Sequence, residues 1–247
     1  MRFRGAIAAL GLAGALLASP AGAGDERRFW LAVGGGAVLD TLTWTGQASW
    51  EEYGETAELD ADYEAGAGPV LGAAGGVRFT GRLGLRAAFA WSRRDVTAAF
   101  RARIPHPLYF GRFRETSGEA TGLEYRQWSS HLDLEWRPVV GTWEVAVFAG
   151  PALVRAETDV VERVEVEDEY PFDTVELNSA VTATVRSDAE IGWSVGAGVS
   201  RQLGSRLGLG LQARYTRAGL TLPREDGAET SLDAGGLQLT AVLQVRF

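Results

Sequence analysis

Neither cysteine nor lysine occurs in the 247-residue chain. Without cysteine there is no disulfide framework, no thiol chemistry and no cysteine metal site. Without lysine, all 24 basic residues are arginine, whose planar forks suit bidentate pairing with carboxylates. Histidine is limited to two residues, His106 and His131. Long apolar runs are missing too. The longest, from Gly5 to Ala18, falls short of the ~20 residues a helix needs to cross a bilayer core, and no other stretch comes near that length. What the chain has instead is an apolar fraction of 46%, with 32 glycines and 8 tryptophans, at a mean hydropathy near zero. That apolar content is spread along alternating segments rather than gathered into runs.

The N-terminus addresses the chain for export. Arg2 and Arg4 precede the apolar run, which leads into the small-x-small cleavage site Ala21-Gly22-Ala23. This reads as a secretory signal peptide over residues 1–23, leaving a mature domain over 24–247. Cleavage there removes two arginines and moves the formal charge from −8 to −10.

Strand periodicity dominates the mature chain. In the closing segment Leu237, Leu239, Ala241, Leu243, Val245 and Phe247 share one face, while Gln238, Thr240, Gln244 and Arg246 share the other. Similar alternation predicts strands over 29–39, 70–79, 83–93, 125–137, 143–155, 190–202, 207–217 and 235–247. Their connections alternate in length, with tight links at Thr80-Gly81-Arg82, 138–141 and 203–206 and long stretches between the other pairs. An all-β fold follows: an eight-stranded antiparallel transmembrane β-barrel with short periplasmic turns and long extracellular loops.

Aromatic residues of outward parity form two expected membrane belts. Phe29, Phe79, Trp136, Trp143 and Phe247 lie beside the tight turns, and Trp91, Trp128, Trp193 and Tyr215 lie further along the strands. That separation suits tilted strands crossing an apolar band ~25 Å tall. The signal peptide, the four-hairpin layout, the glycine-rich first strand Trp30-Leu-Ala-Val-Gly-Gly-Gly36 and the final Phe247 together resemble the small outer-membrane β-barrel families. The OmpA-type, OmpX-type and opacity-type barrels are the relevant ones. The resemblance implies a monomeric barrel in the bacterial outer membrane, in contact with its lipids and lipopolysaccharide. It also implies insertion by the barrel-assembly machinery through the C-terminal strand; against the OmpA type specifically, nothing follows Phe247, so no peptidoglycan-binding domain is expected. It carries over no functional residue.

A barrel of this size has room for little beyond its own side chains, so its inward residues decide whether anything passes. By parity these include Arg78, Arg86, Asp133, Glu135, Glu144, Arg214 and Arg246, beside Gln212 and Gln244. If Trp136 and Trp143 pair across the Val139-Val140 turn, Glu135 faces Glu144 directly. Cations must then lie between them, and Arg78, Arg86 and Arg246 stand at similar depth. The expectation is an ionic plug, with a gated narrow conductance as its rival.

Catalysis has one foothold. Ser129, His131 and Asp133 share the lumen face of one strand. Same-face neighbours stand ~7 Å apart, too far for direct nucleophile-to-base hydrogen bonding, so His131 is expected to be a packed lumen histidine. A ten-stranded omptin-like protease would need a further hairpin and clustered acidic and histidine residues at the strand tops. The reading is therefore of a non-enzyme with no catalytic residue, cofactor or metal ligand assigned.

The long connections differ in charge. The first carries Glu51, Glu52, Glu55, Glu58, Asp60, Asp62 and Glu64. The second carries Arg93, Arg94, Arg101, Arg103, Arg112 and Arg114, interleaved with Tyr109, Phe110 and Phe113. The two are expected to dock on one another, and the basic patch also suits lipopolysaccharide phosphates. Nucleic acid is no partner for an exported acidic barrel. The third connection keeps strand alternation over 160–167 and 174–185 around a tip at 168–173, which predicts a hairpin above the membrane whose edge can recruit an extracellular protein. The function read from these features is structural or surface-interacting. The alternatives are a narrow channel for small or hydrophobic solutes of the OmpW type, and a lipid A-modifying enzyme.

Overall fold

Side chains alternate across a strand, so a chain whose every second residue is apolar must form sheets that present two different faces. The computed structural model describes residues 28–80, 82–168, 170–223 and 229–247, and the expected signal peptide lies outside them. The described strands are β1 (Phe29–Val38), β2 (Leu42–Glu52), β3 (Glu55–Ala65), β4 (Gly68–Arg78), β5 (Leu83–Pro105), β6 (Phe113–Trp136), β7 (Val139–Val140), β8 (Trp143–Glu167), β9 (Glu176–Arg186), β10 (Glu190–Gln202), β11 (Leu207–Pro223) and β12 (Glu229–Arg246).

Eight of them close into an antiparallel ring in the order β1, β4, β5, β6, β8, β10, β11, β12 and back to β1. Closure puts Trp30 opposite Arg246, and the Phe247 amide donates to the Phe29 carbonyl at 2.9 Å. A closed ring leaves no sheet edge to lipid, the condition for crossing a bilayer with strands. The eight expected strands are all present, and 190–202 matches β10 at both ends.

The expected long loops differ from what is observed. The first connection is a hairpin, β2–β3, which joins the wall by pairing β3 with β5 from Glu58↔Arg103 to Ala65↔Val96. The second is mostly strand, because β5 and β6 stay paired to Pro105↔Phe113. The third is the expected hairpin, with β8 and β9 paired from Glu157↔Arg186 to Glu167↔Glu176. The fourth is shortened by pairing of β11 with β12 up to Pro223↔Glu229.

Above the upper aromatics the strands keep their parity but the chemistry of the two faces inverts. On β5, Leu83, Leu85, Phe89 and Trp91 point out and are followed by Arg93, Arg101 and Arg103; Arg86, Ser92 and Arg94 point in and are followed by Val96, Phe100 and Ile104. On β11, outward Leu207, Leu209, Leu211 and Tyr215 give way to Arg217, while inward Gln212 and Arg214 give way to Leu220 and Leu222. The solvent explains the switch: the outer face meets lipid below and water above, so apolar residues move from outside to inside. The upper part therefore has an ordinary hydrophobic core, in which Trp44, Leu59, Tyr63, Phe100, Tyr125 and Val161 are buried. Trp44 stacks on Tyr63 with centroids 5.1 Å apart, and the Tyr63 hydroxyl accepts from the Val161 amide at 3.0 Å.

Candidate functional site

At membrane level the lumen is filled by charged side chains held on rigid strands. Two inward aromatics form its platform. Trp30 lies over Gly76 and Phe148 over Gly196, where a Cβ would come within 2.6 Å and 2.3 Å of the respective rings. Glycine at these two places lets the rings lie flat against the wall. Guanidiniums then stack on them: Arg137 on Trp30 at 4.2 Å, and Arg86 and Arg214 on Phe148 at 4.1 Å and 4.7 Å.

Three carboxylates organise the arginines. Glu144 receives Arg78 at 2.8 Å, Arg137 at 2.7 Å and Arg246 at 2.6 Å. Glu135 takes a bidentate pair from Arg137, at 2.8 and 2.7 Å. Asp133 receives Arg214 at 2.6 Å. Arg86 donates to Gln212 at 2.7 Å and stands 3.9 Å from both Asp133 and Glu135. All seven lumen residues expected from parity thus fall in one network.

Two details of the expected geometry are corrected. Glu135 lies opposite Phe148, not Glu144, because Val139 and Val140 pair with Glu144 and Trp143 and shift the register of the turn. The cation that joins the two carboxylates is Arg137, at the end of the expected 125–137 strand. The continuation from Asp133 and Glu135 by one more step of two would have placed it inside.

The serine–histidine spacing is also corrected. His131 Nε2 lies 3.0 Å from Ser129 Oγ, because the imidazole leans along the strand and covers the distance between same-face neighbours. His131 Nδ1 lies 3.2 Å from the Oγ of Ser194, a residue of β10 that the sequence did not single out. Ser194 Oγ donates to Asp133 at 3.1 Å, since an ionised carboxylate can only accept. The same oxygen accepts from Arg214 at 3.1 Å, and by the same logic from His131 Nδ1–H. That assigns Nε2 as the acceptor for the Ser129 hydroxyl. Ser129, His131, Ser194 and Asp133 are all buried, so a molecule reaching Ser129 would have to displace packed lumen side chains.

All nine expected belt aromatics sit on the outward parity. Trp91 and Trp128 are register partners, and the Trp193 and Tyr215 rings lie 5.5 Å apart. On the tight-turn side Phe79, Trp136, Trp143 and Phe247 are exposed. Among the described residues there is no cluster of acidic and histidine side chains able to hold a metal.

At the top, the charged connections meet. The expected contact between the first and second is present as Glu58–Arg103 at 3.8 Å and as the Gly111 amide donating to the Glu55 carboxylate at 2.9 Å. The basic second connection engages the third more closely. Buried Arg114 pairs with Asp168 and donates to the Pro105 carbonyl at 3.1 Å, and Arg112 pairs with Asp173 at 2.8 Å. Tyr53, at the tip of β2–β3, donates its hydroxyl to Asp168 at 2.5 Å. That hydrogen bond, aided by partial burial, pushes the Tyr53 hydroxyl up to about 12. Partial burial works against ionisation of Asp168, yet the hydrogen bonds from Arg114 and Tyr53 hold its carboxyl below the usual range.

The outer membrane protein beta-barrel domain family model matches residues 7–244. No curated protein sequence matches the chain. Among solved structures, the chain is similar to the outer membrane protein OprG from Pseudomonas aeruginosa, at 12% identity over 90% of this chain and 97% of that one, with a TM-score of 0.50. Neisserial surface protein A is similar at 15% identity over 89% and 97%, with a TM-score of 0.44. The outer membrane protease OmpT from Escherichia coli is similar at 11% identity over 90% and 98%, with a TM-score of 0.47. At these identities the likeness is one of fold. The last of them corrects the expectation of a non-enzyme: a protease stands among the chain's distant structural neighbours, and that expectation is withdrawn. With its closed ring of eight antiparallel strands and a family match over nearly its whole length, the chain belongs to the outer membrane protein beta-barrel domain family and resides in the bacterial outer membrane.

Proposed function

We propose that this protein is a closed barrel whose role is surface interaction through the β-structure it raises above the outer leaflet. The observation that carries this reading is the lumen network. Asp133, Glu135 and Glu144, each 1% exposed or less, are paired with arginines that stack on Trp30 and Phe148 and reach across the lumen. In this reading the network is structural, and the two rings of outward aromatics anchor the barrel at the membrane interfaces. Phe247 presents the closing strand to the assembly machinery, the outward arginines Arg93, Arg126 and Arg155 face lipopolysaccharide, and the β8–β9 hairpin presents an edge to an extracellular protein. Single-channel recording in planar bilayers tests the plug: the unmodified protein should conduct little, and a large, stable, porin-like conductance contradicts it.

The channel reading has one observation on its side. A cleft of about 760 Å³ lies between β2–β3 and the β11–β12 hairpin, with Trp44, Tyr63, Leu220 and Leu232 among its walls. Those apolar residues stand behind a mouth that also carries Asp62, Glu64, Glu119 and Asp233, above the membrane. Passage onward would require the ionic network below it to open.

A further inference from the structure

One arginine of the lumen lacks a full complement of negative charge. Among the described residues, five arginines (Arg78, Arg86, Arg137, Arg214 and Arg246) share three carboxylates in the lumen. Those carboxylates are not shared evenly. Glu144 receives three arginines within 2.8 Å, Glu135 is occupied by the fork of Arg137, and Asp133 is taken by Arg214. Arg86 is left with two carboxylates at 3.9 Å and a neutral amide oxygen, that of Gln212, at 2.7 Å. It is 5% exposed, and its Nε is buried without a hydrogen-bond partner. A buried cation in this position is expensive unless something balances it.

Arg86 borders a cavity. The space, about 40 Å³, is lined on one side by Arg86, Arg214, His131, Gln212, Gln238 and Thr240. On the other side β1, β4 and β5 present small residues such as Ala32, Gly72 and Ala88, which is why the lumen is not filled there. The space is small and has room for a water molecule or a small anion. Its polar wall carries two guanidiniums and two amides as donors, while the Thr240 hydroxyl already donates to the Gln212 backbone carbonyl at 3.4 Å. The Gln212 oxygen is already engaged by Arg86, so the amide N–H groups are what that side chain has left to offer.

We propose that this cavity is a binding site for a single small monovalent anion of the halide class, held by Arg86 and Arg214. The anion supplies the charge that Asp133 and Glu135 do not deliver to Arg86, and accepts from its unpartnered Nε. A water would satisfy the hydrogen bond but not the charge, which separates the two occupants experimentally. The site depends on the lumen wall alone and stands whether or not the extracellular surface has a partner.

The test is refolding of the full barrel into detergent micelles with sodium chloride, sodium bromide or sodium gluconate at one fixed ionic strength, followed by thermal unfolding. Chloride and bromide should raise the midpoint saturably, by on the order of a few degrees over gluconate. Arg86→Gln should abolish the difference. Gln212→Glu places a carboxylate beside Arg86, and should be as stable in gluconate as the parent is in chloride while losing the halide response. It keeps the inference falsifiable if Arg86→Gln fails to fold. Crystals grown in bromide should show one anomalous peak in the cavity. Equal midpoints in all three salts, an undiminished halide response in Gln212→Glu, or no bromide peak each overturns the proposal.

Discussion

Replacing Arg137 with methionine removes the residue that joins two buried carboxylates, while keeping most of the apolar stem that packs on Trp30. Arg137 donates to Glu135 through two nitrogens and to Glu144 through a third, and is 4% exposed. After the change Glu144 still has Arg78 and Arg246, at 2.8 and 2.6 Å. Glu135 is left with Arg86 at 3.9 Å. Breaking one side of a buried ion pair costs about 3–5 kcal/mol, most of it the penalty of the charge left behind. The loss should therefore fall in that range and be concentrated on Glu135. Adding Glu135→Gln to Arg137→Met should recover a large part of it, because the stranded charge is gone. Urea unfolding of the barrel in lipid vesicles, followed by tryptophan fluorescence and heat-modifiable gel migration, gives both numbers. An Arg137→Met barrel within about 1 kcal/mol of the parent, or a double variant less stable than the single one, would refute this account of the network.

Deleting Phe247 should impair insertion in cells, since it removes the terminal aromatic and the Phe247–Phe29 backbone hydrogen bond of the closing strands; a normal yield of heat-modifiable barrel would contradict this. Amide exchange should be slow along both arms of the β8–β9 hairpin, and full exchange within seconds across 160–185 would show that its ladder does not persist. Tyr53 favours its protonated form in the folded state, so its contribution is complete below its unfolded value near 10 and is lost as pH rises through about 12. Tyr53→Phe should remove that alkaline loss, measured as the difference between the two proteins' unfolding midpoints from pH 9 upward. Glu144→Arg should loosen the lumen by setting a fourth cation among Arg78, Arg137 and Arg246, seen as a lower unfolding midpoint than that of Glu144→Gln.

The membrane half of the fold was legible because lipid outside and charge inside give strong alternation, as in Leu83, Leu85, Phe89 and Trp91 against Arg86 and Ser92. The upper half follows the same period with the faces exchanged, and its acidic residues drew the reading toward loops. Glu58, Asp60, Asp62 and Glu64 in fact alternate with Ala57, Leu59, Ala61 and Tyr63, which was a strand signal in plain view. The seven lumen residues were legible from parity. The partners that complete their network were not, because each depends on register between strands distant in sequence. Ser194 reaches Asp133 and His131 from β10, and Arg86 finds Gln212 on β11. The Glu135–Glu144 offset likewise depends on the length of one turn, which alternation does not encode.

The central claim, a closed lumen beneath a water-facing β-structure with an apolar core, is open to a direct measurement because the chain has no cysteine of its own. Single cysteines placed along β5 in the barrel reconstituted in vesicles, and treated with a water-soluble, membrane-impermeant maleimide, report which face meets water at each level. Thr97→Cys, Ala99→Cys and Arg101→Cys should label quickly, while Ala98→Cys and Ala102→Cys, turned into the upper core, should not. Ala87→Cys, facing lipid, and Ala88→Cys and Ala90→Cys, facing the lumen beside the small cavity, should all stay unlabelled. Rapid labelling at Ala88→Cys and Ala90→Cys with Ala87→Cys protected would mean a water-filled channel through the membrane and would contradict the account.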